Sequence, residues 1–468
     1  MNPQQIEILE HKSKELGELL EKASVKQKGI FSSLWQGFQN DEALLIKLMN
    51  AFPPSNGVYP SPNDPGNVEY GWALYFLNVK LPESGTFGKW LQEKLTNDLD
   101  MPATTITAKD WSDWYKVWST SGVVMGDGSL VATQKYAVMD LGWALAVIDF
   151  IKLQIGWETK ADFNDNPNYI AIDKNAQQSL SIAVMGDWGA GNYNDGPSPE
   201  SPAIQVMTAI KAKAPDMVIH LGDVYYAGTN TEEQENLLNS WSYDAPQGNF
   251  TLNSNHEMYD GGQSYFNIAL TSSLIAPYQT GIKNKKPSSY FSIEYGEYLI
   301  LGLDSAYNAT GMYMQGRITD SGQLNFINAA VKKGKKIILM THHNPMETFG
   351  SATNPLWADV VMNKSALNNK PPFMWYWGHI HNGIVYSDKA VTGNVLARCL
   401  GNGAIPIGTG PWLQNNSNVS YFTNTPLNDG TENNKLRVKN GFAILTFDSN
   451  GVTETWYDQS GNKCWSNP

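Results

Sequence analysis

Two cysteines in 468 residues, Cys399 and Cys464, are too few for a disulfide framework, and they leave room for one bridge at most. The chain must therefore be held by a hydrophobic core, and a reducing compartment is the expectation. Positive charge is also short. Lys and Arg number 33 against 45 Asp and Glu, a formal net charge of −12, which opposes non-specific association with nucleic acid or anionic lipid. No nucleic-acid partner is expected. Long hydrophobic runs are missing too: the most apolar stretch, Leu141–Ile148, falls far short of the ~20 residues needed to span a bilayer. The N-terminus, MNPQQIEILEHKSKELGELLEKA, has no basic segment followed by an apolar core. It reads as an amphipathic helix with Ile6, Leu9, Leu16, Leu19 and Leu20 along one stripe, and a cytoplasmic location follows as the expectation.

What is present divides the chain in two. Residues 1–165 are rich in Trp and in helical patterns over Asp41–Asn50, Phe87–Leu99, Asp110–Ser119 and Gln134–Ile155, with a Pro-rich loop at 53–65, and read as a helical domain. Its tryptophans could form a carbohydrate or lipid platform; packing between helices is the plainer account. Trp157–Gln178 has no sustained period and reads as a linker, so the second domain is placed at 179–468. A chain starting near Asn175 is then expected to fold by itself.

The second domain opens on Ser181–Gly189, an apolar run that ends on Asp187. A second run, Asp216–Asp223, ends on Asp223, and between them Ile204, Met207, Ile210 and Ala214 keep helical spacing. Strand, helix, strand brings both carboxylates to the same sheet edge, where open α/β sheets place ligands. Hairpin signals follow around Gly296-Glu297 and around Ser449-Asn450-Gly451. A helix is expected over Gln323–Lys332, with strands at Lys336–Thr341, Phe373–Trp377 and Val395–Leu400. Strands that alternate with helices and finish antiparallel argue for a layered α/β sheet or sandwich.

Histidine is scarce enough to be informative. Of the seven, His256, His342, His343, His379 and His381 stand at or just beyond strand ends, whereas His11 and His220 carry no such signal. Two hard carboxylates and several imidazoles from separate strands form the donor mixture of a first-row transition-metal site, and there are too many donors for a single ion.

Asp187 in GDWG, Asp223 in GDVYY, Asn255-His256-Glu257 in SNHE, the THH of 341–343 and His379-Ile380-His381 in GHIH resemble the five ordered motifs of the calcineurin-like metallophosphoesterases, in a variant similar to the purple acid phosphatases. The resemblance covers Ser181 to Tyr457 and none of residues 1–165. It implies an α/β fold, a layered β-sandwich flanked by helices, here preceded by the helical domain. Gly189 stands where most of the superfamily has a histidine donor, and Tyr226 matches the tyrosine ligand of purple acid phosphatases. By resemblance, Asp187, Tyr226, His381 and a bridging Asp223 hold metal 1. Asp223, Asn255, His379 and either His342 or His343 hold metal 2; distance from the strand favours His342, and Pro345 favours His343. A phenolate is a hard anionic donor suited to Fe(III) at metal 1, with divalent Fe, Zn or Mn at metal 2. His256 is the candidate acid or phosphate contact, Glu257 could orient its ring, and His343 is a candidate phosphate contact. Ser254 departs from the family's usual Gly.

The implied chemistry is hydrolysis of a small phosphorylated substrate, and it admits three readings. A broad phosphomonoesterase comes first. A phosphodiesterase or nucleotide hydrolase would depend on loops such as 190–201 and 307–317, and a non-catalytic binding protein would be expected to have lost ligands. Relatives are often secreted, so the absence of a signal departs from them.

Overall fold

The structure, a computed structural model, describes residues 143–154, 156–193, 200–309, 315–410, 413–427 and 437–467. Before these it describes Glu18, residues 22–27, 123–124 and 130–131, and Tyr136. The helices expected over 41–50, 87–99 and 110–119 lie outside the described residues. Within 134–155 the helix is Trp143–Gln154, and two short strands, β1 (Val123–Val124) and β2 (Leu130–Val131), pair antiparallel just before it.

Two sheets pack face to face. One has six strands, with β4 (Leu180–Met185), β5 (Met217–His220) and β6 (Gly248–Thr251) parallel and β14 (Gly441–Asp448), β15 (Gly451–Asp458) and β16 (Lys463–Ser466) added antiparallel, in the order β16-β15-β14-β4-β5-β6. The other has eight strands. These are β3 (Asn168–Ile172), β7 (Phe291–Tyr295), β8 (Tyr298–Gly302), β9 (Lys336–Thr341), β10 (Met374–Trp377), β11 (Gly383–Tyr386), β12 (Leu396–Leu400) and β13 (Val419–Phe422), in the order β13-β11-β12-β10-β9-β8-β7-β3. This is the layered sandwich with flanking helices.

Period two explains why the central strands read as unbroken apolar runs. On β9, Ile338 and Met340 face the other sheet beside Ile182, Val184 and Ile219, while Ile337 and Leu339 face the helix Ser321–Lys332 through Ile327 and Ala330. Both faces of the sheet are buried, so both sets of alternate positions must be apolar. On the outer side of the six-stranded sheet lies the helix Pro202–Lys213. Ser201 caps it by accepting from Ile204 N, and Pro202 sits where a missing N–H costs nothing.

One correction concerns the linker. Asn168–Ile172, inside Trp157–Gln178, is no linker: it pairs parallel with β7 over five residues as the edge of the eight-stranded sheet. Its sequence, NYIAI, is half exposed and too short to show a period. Cys399 is buried, Cys464 is half-buried, and both are free thiols. Among the described residues no helix is long and apolar enough to cross a membrane.

Candidate metal centre

Five parallel strands end at one place. Asp187 follows β4, Asp223 follows β5, Asn255 follows β6, His342 and His343 follow β9, and His379 and His381 follow β10. Carbonyl ends of adjacent parallel strands project loops in one direction, so ligands that are far apart in sequence meet where the two sheets share an edge. Two groups of donors come together there, Asp187 with Asp223 and His381, and His342 with His343 and His379.

The donors fit a cation. His342 Nδ1 lies 2.9 Å from the Leu221 carbonyl, an acceptor only, so Nδ1 carries the proton and Nε2 presents a lone pair. That lone pair faces Asn255 Oδ1 at 2.8 Å and Asp223 Oδ1 at 3.1 Å. Asn255 Oδ1 is also 3.1 Å from His379 Nδ1. A neutral imidazole lone pair, an amide oxygen and a carboxylate oxygen converging in a buried place are electrostatically sensible around positive charge. On the other side, His381 Nε2 lies 3.4 Å from Asp187 Oδ1 and 3.8 Å from Asp223 Oδ2, and Asp187 Oδ2 is oriented by the His379 N–H at 2.9 Å. Asp223 thus stands between the two groups.

Electrostatics and backbone agree. Burial alone would raise the Asp223 carboxyl, but His342 and His256 outweigh it and hold the group well below the ordinary range. Burial pushes His379 down to about 3, and the neighbouring His342 adds to the shift. Asp187, Asp223 and His379 take φ values of 55°, 79° and 66°, a left-handed conformation that side chains rarely adopt. Such strain persists where the surroundings over-determine it, typically at sites of function.

His342 and His343 differ in position. His342 faces Asp223 and Asn255, whereas His343 is turned to Ser305, with Nδ1 3.0 Å from Ser305 Oγ and its N–H donating to the same oxygen at 3.1 Å. The His343 ring still lies 4.7 Å from that of His379, at the edge of the centre. Ser254 is extended (φ −133°, ψ 176°), which serine adopts freely, and its Oγ caps the helix Asn255–Tyr259 by accepting from His256 N at 3.0 Å. The family's Gly is therefore not needed here.

Two sequence-based expectations meet a different geometry. A tyrosine hydroxyl that reaches the centre is that of Tyr225: Tyr225 Oη lies 2.5 Å from His381 Nε2 and 3.4 Å from Asp223 Oδ2. The Tyr226 ring packs 4.9 Å from Tyr136, which also touches the Tyr225 ring at 5.5 Å. Spacing assigned Tyr226, three residues after Asp223, and left Tyr225 to packing; in the structure it is the Tyr225 hydroxyl that stands beside His381. Glu257 does not orient the His256 ring; it pairs with the Ser254 hydroxyl, and burial with the nearby Asp223 raises its carboxyl well above the usual range. The ring is set instead by the Tyr226 carbonyl, 2.6 Å from His256 Nδ1, and stacks on Tyr225 at 4.0 Å. Burial lowers the His256 pKa despite the opposing pull of Asp223 and that carbonyl, and its Nε2 faces Asp223 Oδ2 at 3.9 Å.

Position 189 could not supply a donor. A Cβ there would meet the Asp223 carbonyl at 2.4 Å and Val224 Cα at 2.7 Å, because Gly189 pairs directly with Val224 and donates to Asp223 O at 3.0 Å. Tyr136, from the region before the sandwich, is a residue that no sequence signal marked. Its buried ring touches those of Tyr193, Tyr225 and Tyr226.

Residues 180–383 match the family model of the calcineurin-like phosphoesterases. Among solved structures the chain is similar to GAP50, the anchor in the inner membrane complex of Plasmodium, at 14% identity and a TM-score of 0.41, over 62% of this chain and 88% of that one. It is also similar to purple acid phosphatase PPD1 from seeds of yellow lupin (Lupinus luteus), at 16% identity and a TM-score of 0.38, over 62% of this chain and 53% of that one. No curated protein matches it by sequence. The chain carries a metallophosphoesterase domain.

Proposed function

We propose, from the place of residues 180–383 among the calcineurin-like phosphoesterases, that this protein hydrolyses small phosphate monoesters at a dinuclear metal centre of the purple acid phosphatase kind. The observation that carries the reading is the position of Asp223 between two donor groups, one with Asp187 and His381 and the other with His342 and Asn255. Asp187, Tyr225, His381 and Asp223 would hold metal 1, and Asp223, Asn255, His342 and His379 metal 2. Such a pair supplies Lewis acidity, a clamp on the phosphoryl oxygens and a nucleophile drawn from water near neutral pH.

The chain's own groups take the remaining roles. His256, with Nδ1–H fixed by the Tyr226 carbonyl, turns Nε2 toward the centre; in its imidazolium form it would hand a proton to the leaving oxygen or bind a phosphoryl oxygen. His343, held by Ser305, would be a second contact for the phosphate. A phenolate at metal 1 favours Fe(III). Roughly five positive charges from a ferric and a divalent ion outweigh two carboxylates and a phenolate, leaving a site that attracts phosphate. Retention of the full donor set weighs against a non-catalytic role.

Metal analysis of the chain purified without added metal should find two ions per chain, with iron among them. Paired assays should show aryl phosphate hydrolysed faster than bis-aryl phosphate. A single ion would sink the dinuclear reading, and a preference for the diester would replace monoesterase with diesterase. His256→Ala should keep both metals and lower the rate by about 10²–10⁴-fold, less for leaving groups that need no proton. An equal loss for all leaving groups would assign His256 to phosphate binding alone.

A further inference from the structure

Tyr225 and Tyr226 lie in a loop whose backbone is fully partnered. Tyr225 N donates to Gly189 O at 3.0 Å. Tyr225 O accepts from Asn236 Nδ2 at 2.6 Å, and Tyr226 O is the partner of His256 Nδ1. The remaining groups converge on one carboxylate. Glu232 Oε1 accepts from Tyr226 N at 2.6 Å, and Oε2 accepts from Ala227 N at 3.1 Å, Thr229 N at 3.0 Å and Thr229 Oγ1 at 3.0 Å.

The plainer account is a helix cap. Thr229 and Glu232 do form a capping box at the start of Asn230–Glu232. A capping box, however, needs only the exchange between Thr229 and Glu232. The Tyr226 and Ala227 contacts lie outside it, and one of the two carboxylate oxygens is given over to Tyr226 alone.

We propose that Glu232 is a positioning residue for the metal centre: by taking the N–H groups of Tyr226 and Ala227 it fixes the backbone that turns Tyr225, and not Tyr226, toward Asp223 and His381. This rests on Tyr225 being a metal ligand. With two adjacent tyrosines, the backbone path through 225–227 decides which ring faces inward. A carboxylate suits the task because both of its oxygens accept. An amide offers one acceptor and one donor, so Glu232→Gln must set an N–H group against N–H donors at Tyr226 or at Ala227 and Thr229.

The test is a double-mutant cycle on the full chain, read as metal affinity in competition with a chelator. Outer residues that orient ligands typically change affinity by about 10–100-fold. Glu232→Gln and Tyr225→Phe should each weaken binding on that scale, and the double variant should be no weaker than Tyr225→Phe alone, because Glu232 acts through Tyr225. Thr229→Ala, which removes the cap hydroxyl but leaves the Tyr226 contact, should bind as wild type. Asn236→Ala, which frees the Tyr225 carbonyl, is the second arm and should couple to Tyr225 in the same way, including where Glu232→Gln fails to fold. Additive losses in both arms, or equal losses from Thr229→Ala and Glu232→Gln, would reduce Glu232 to a helix cap. A Tyr225→Phe variant with wild-type affinity would sink the ligand reading and the role of Glu232 together, whereas weakening by Tyr225→Phe but not by Glu232→Gln would sink only the latter.

Discussion

At the scale of single residues, the two tyrosines give the sharpest contrast. If the Tyr225 phenolate is bonded to a ferric ion, the protein carries a visible charge-transfer band, which Tyr225→Phe should abolish and Tyr226→Phe should leave. The opposite result in absorption spectra would return the ligand to the position that spacing alone assigned. His220 makes a different case, because its role is structural. Its ring is buried between Trp188 and Trp241 with Nδ1 on Thr251 Oγ1 at 3.0 Å, and burial pushes its pKa down to about 3. The folded value lies below the unfolded value of about 6.5. Its contribution to stability is therefore complete above pH ~6.5 and is lost as pH falls toward 3, at up to about 1.4 kcal/mol per pH unit. In urea titrations between pH 7 and pH 4, His220→Gln should flatten that acid slope by about one proton's worth. An unchanged slope would mean that His220 does not stay neutral in the folded chain.

At the scale of elements, legibility followed unbroken apolar sequence. LSIAVM, KIILMT and MWYW were readable because strands covered on both faces are apolar at every position. GNFT of β6 and KCWS of β16 were not, since strands of four residues with Gly, Asn, Ser or Lys are defined by their partners more than by their own pattern. Motifs at the ends of readable strands marked Asp187, Asp223 and the histidines of 342–343 and 379–381, whereas Asn255 and His256, which follow β6, were marked by the SNHE motif alone. The turn of one tyrosine over its neighbour depends on Glu232 and Asn236, which no motif contains. The two sheets are also tied by a buried ion pair. Arg398 of β12 meets Glu454 of β15 in a bidentate pair at 2.8 and 2.7 Å, and Tyr376 of β10 donates to the same carboxylate. Arg398→Met would strand a buried carboxylate and should cost about 3–5 kcal/mol. Arg398→Met with Glu454→Leu should recover most of that loss, because two desolvated charges are replaced by apolar packing. Urea unfolding of both variants checks this, and a single variant as stable as the double would show that the carboxylate finds another partner.

At the scale of the whole molecule, the question is whether the residues before the sandwich belong to it. Three sets of contacts argue that they do. The edge strand β3 supplies every backbone partner that β7 has on that side. Ala161 N donates to Gly261 O at 2.9 Å, and Gln263 Nε2 donates to Thr159 O at 2.7 Å. Further upstream, Phe150 packs on Tyr259 at 5.8 Å, and Tyr136 packs on the tyrosine pair of the centre. A chain beginning at Asn175 loses all three sets, exposes the apolar edge of β7 and should be insoluble or fail to retain metal. A chain beginning at Trp157 keeps β3 and the hydrogen bonds but loses Phe150 and Tyr136. It should stay soluble and bind metal more weakly than the full chain, since Tyr225 is then unsupported on one face. If the chain from Asn175 were soluble and held two ions, the sandwich would be complete from there and the upstream contacts peripheral. If both truncated chains failed alike, β3 would not be the deciding element, and the aromatic contacts of Tyr136 and Phe150 would be what the centre cannot lose.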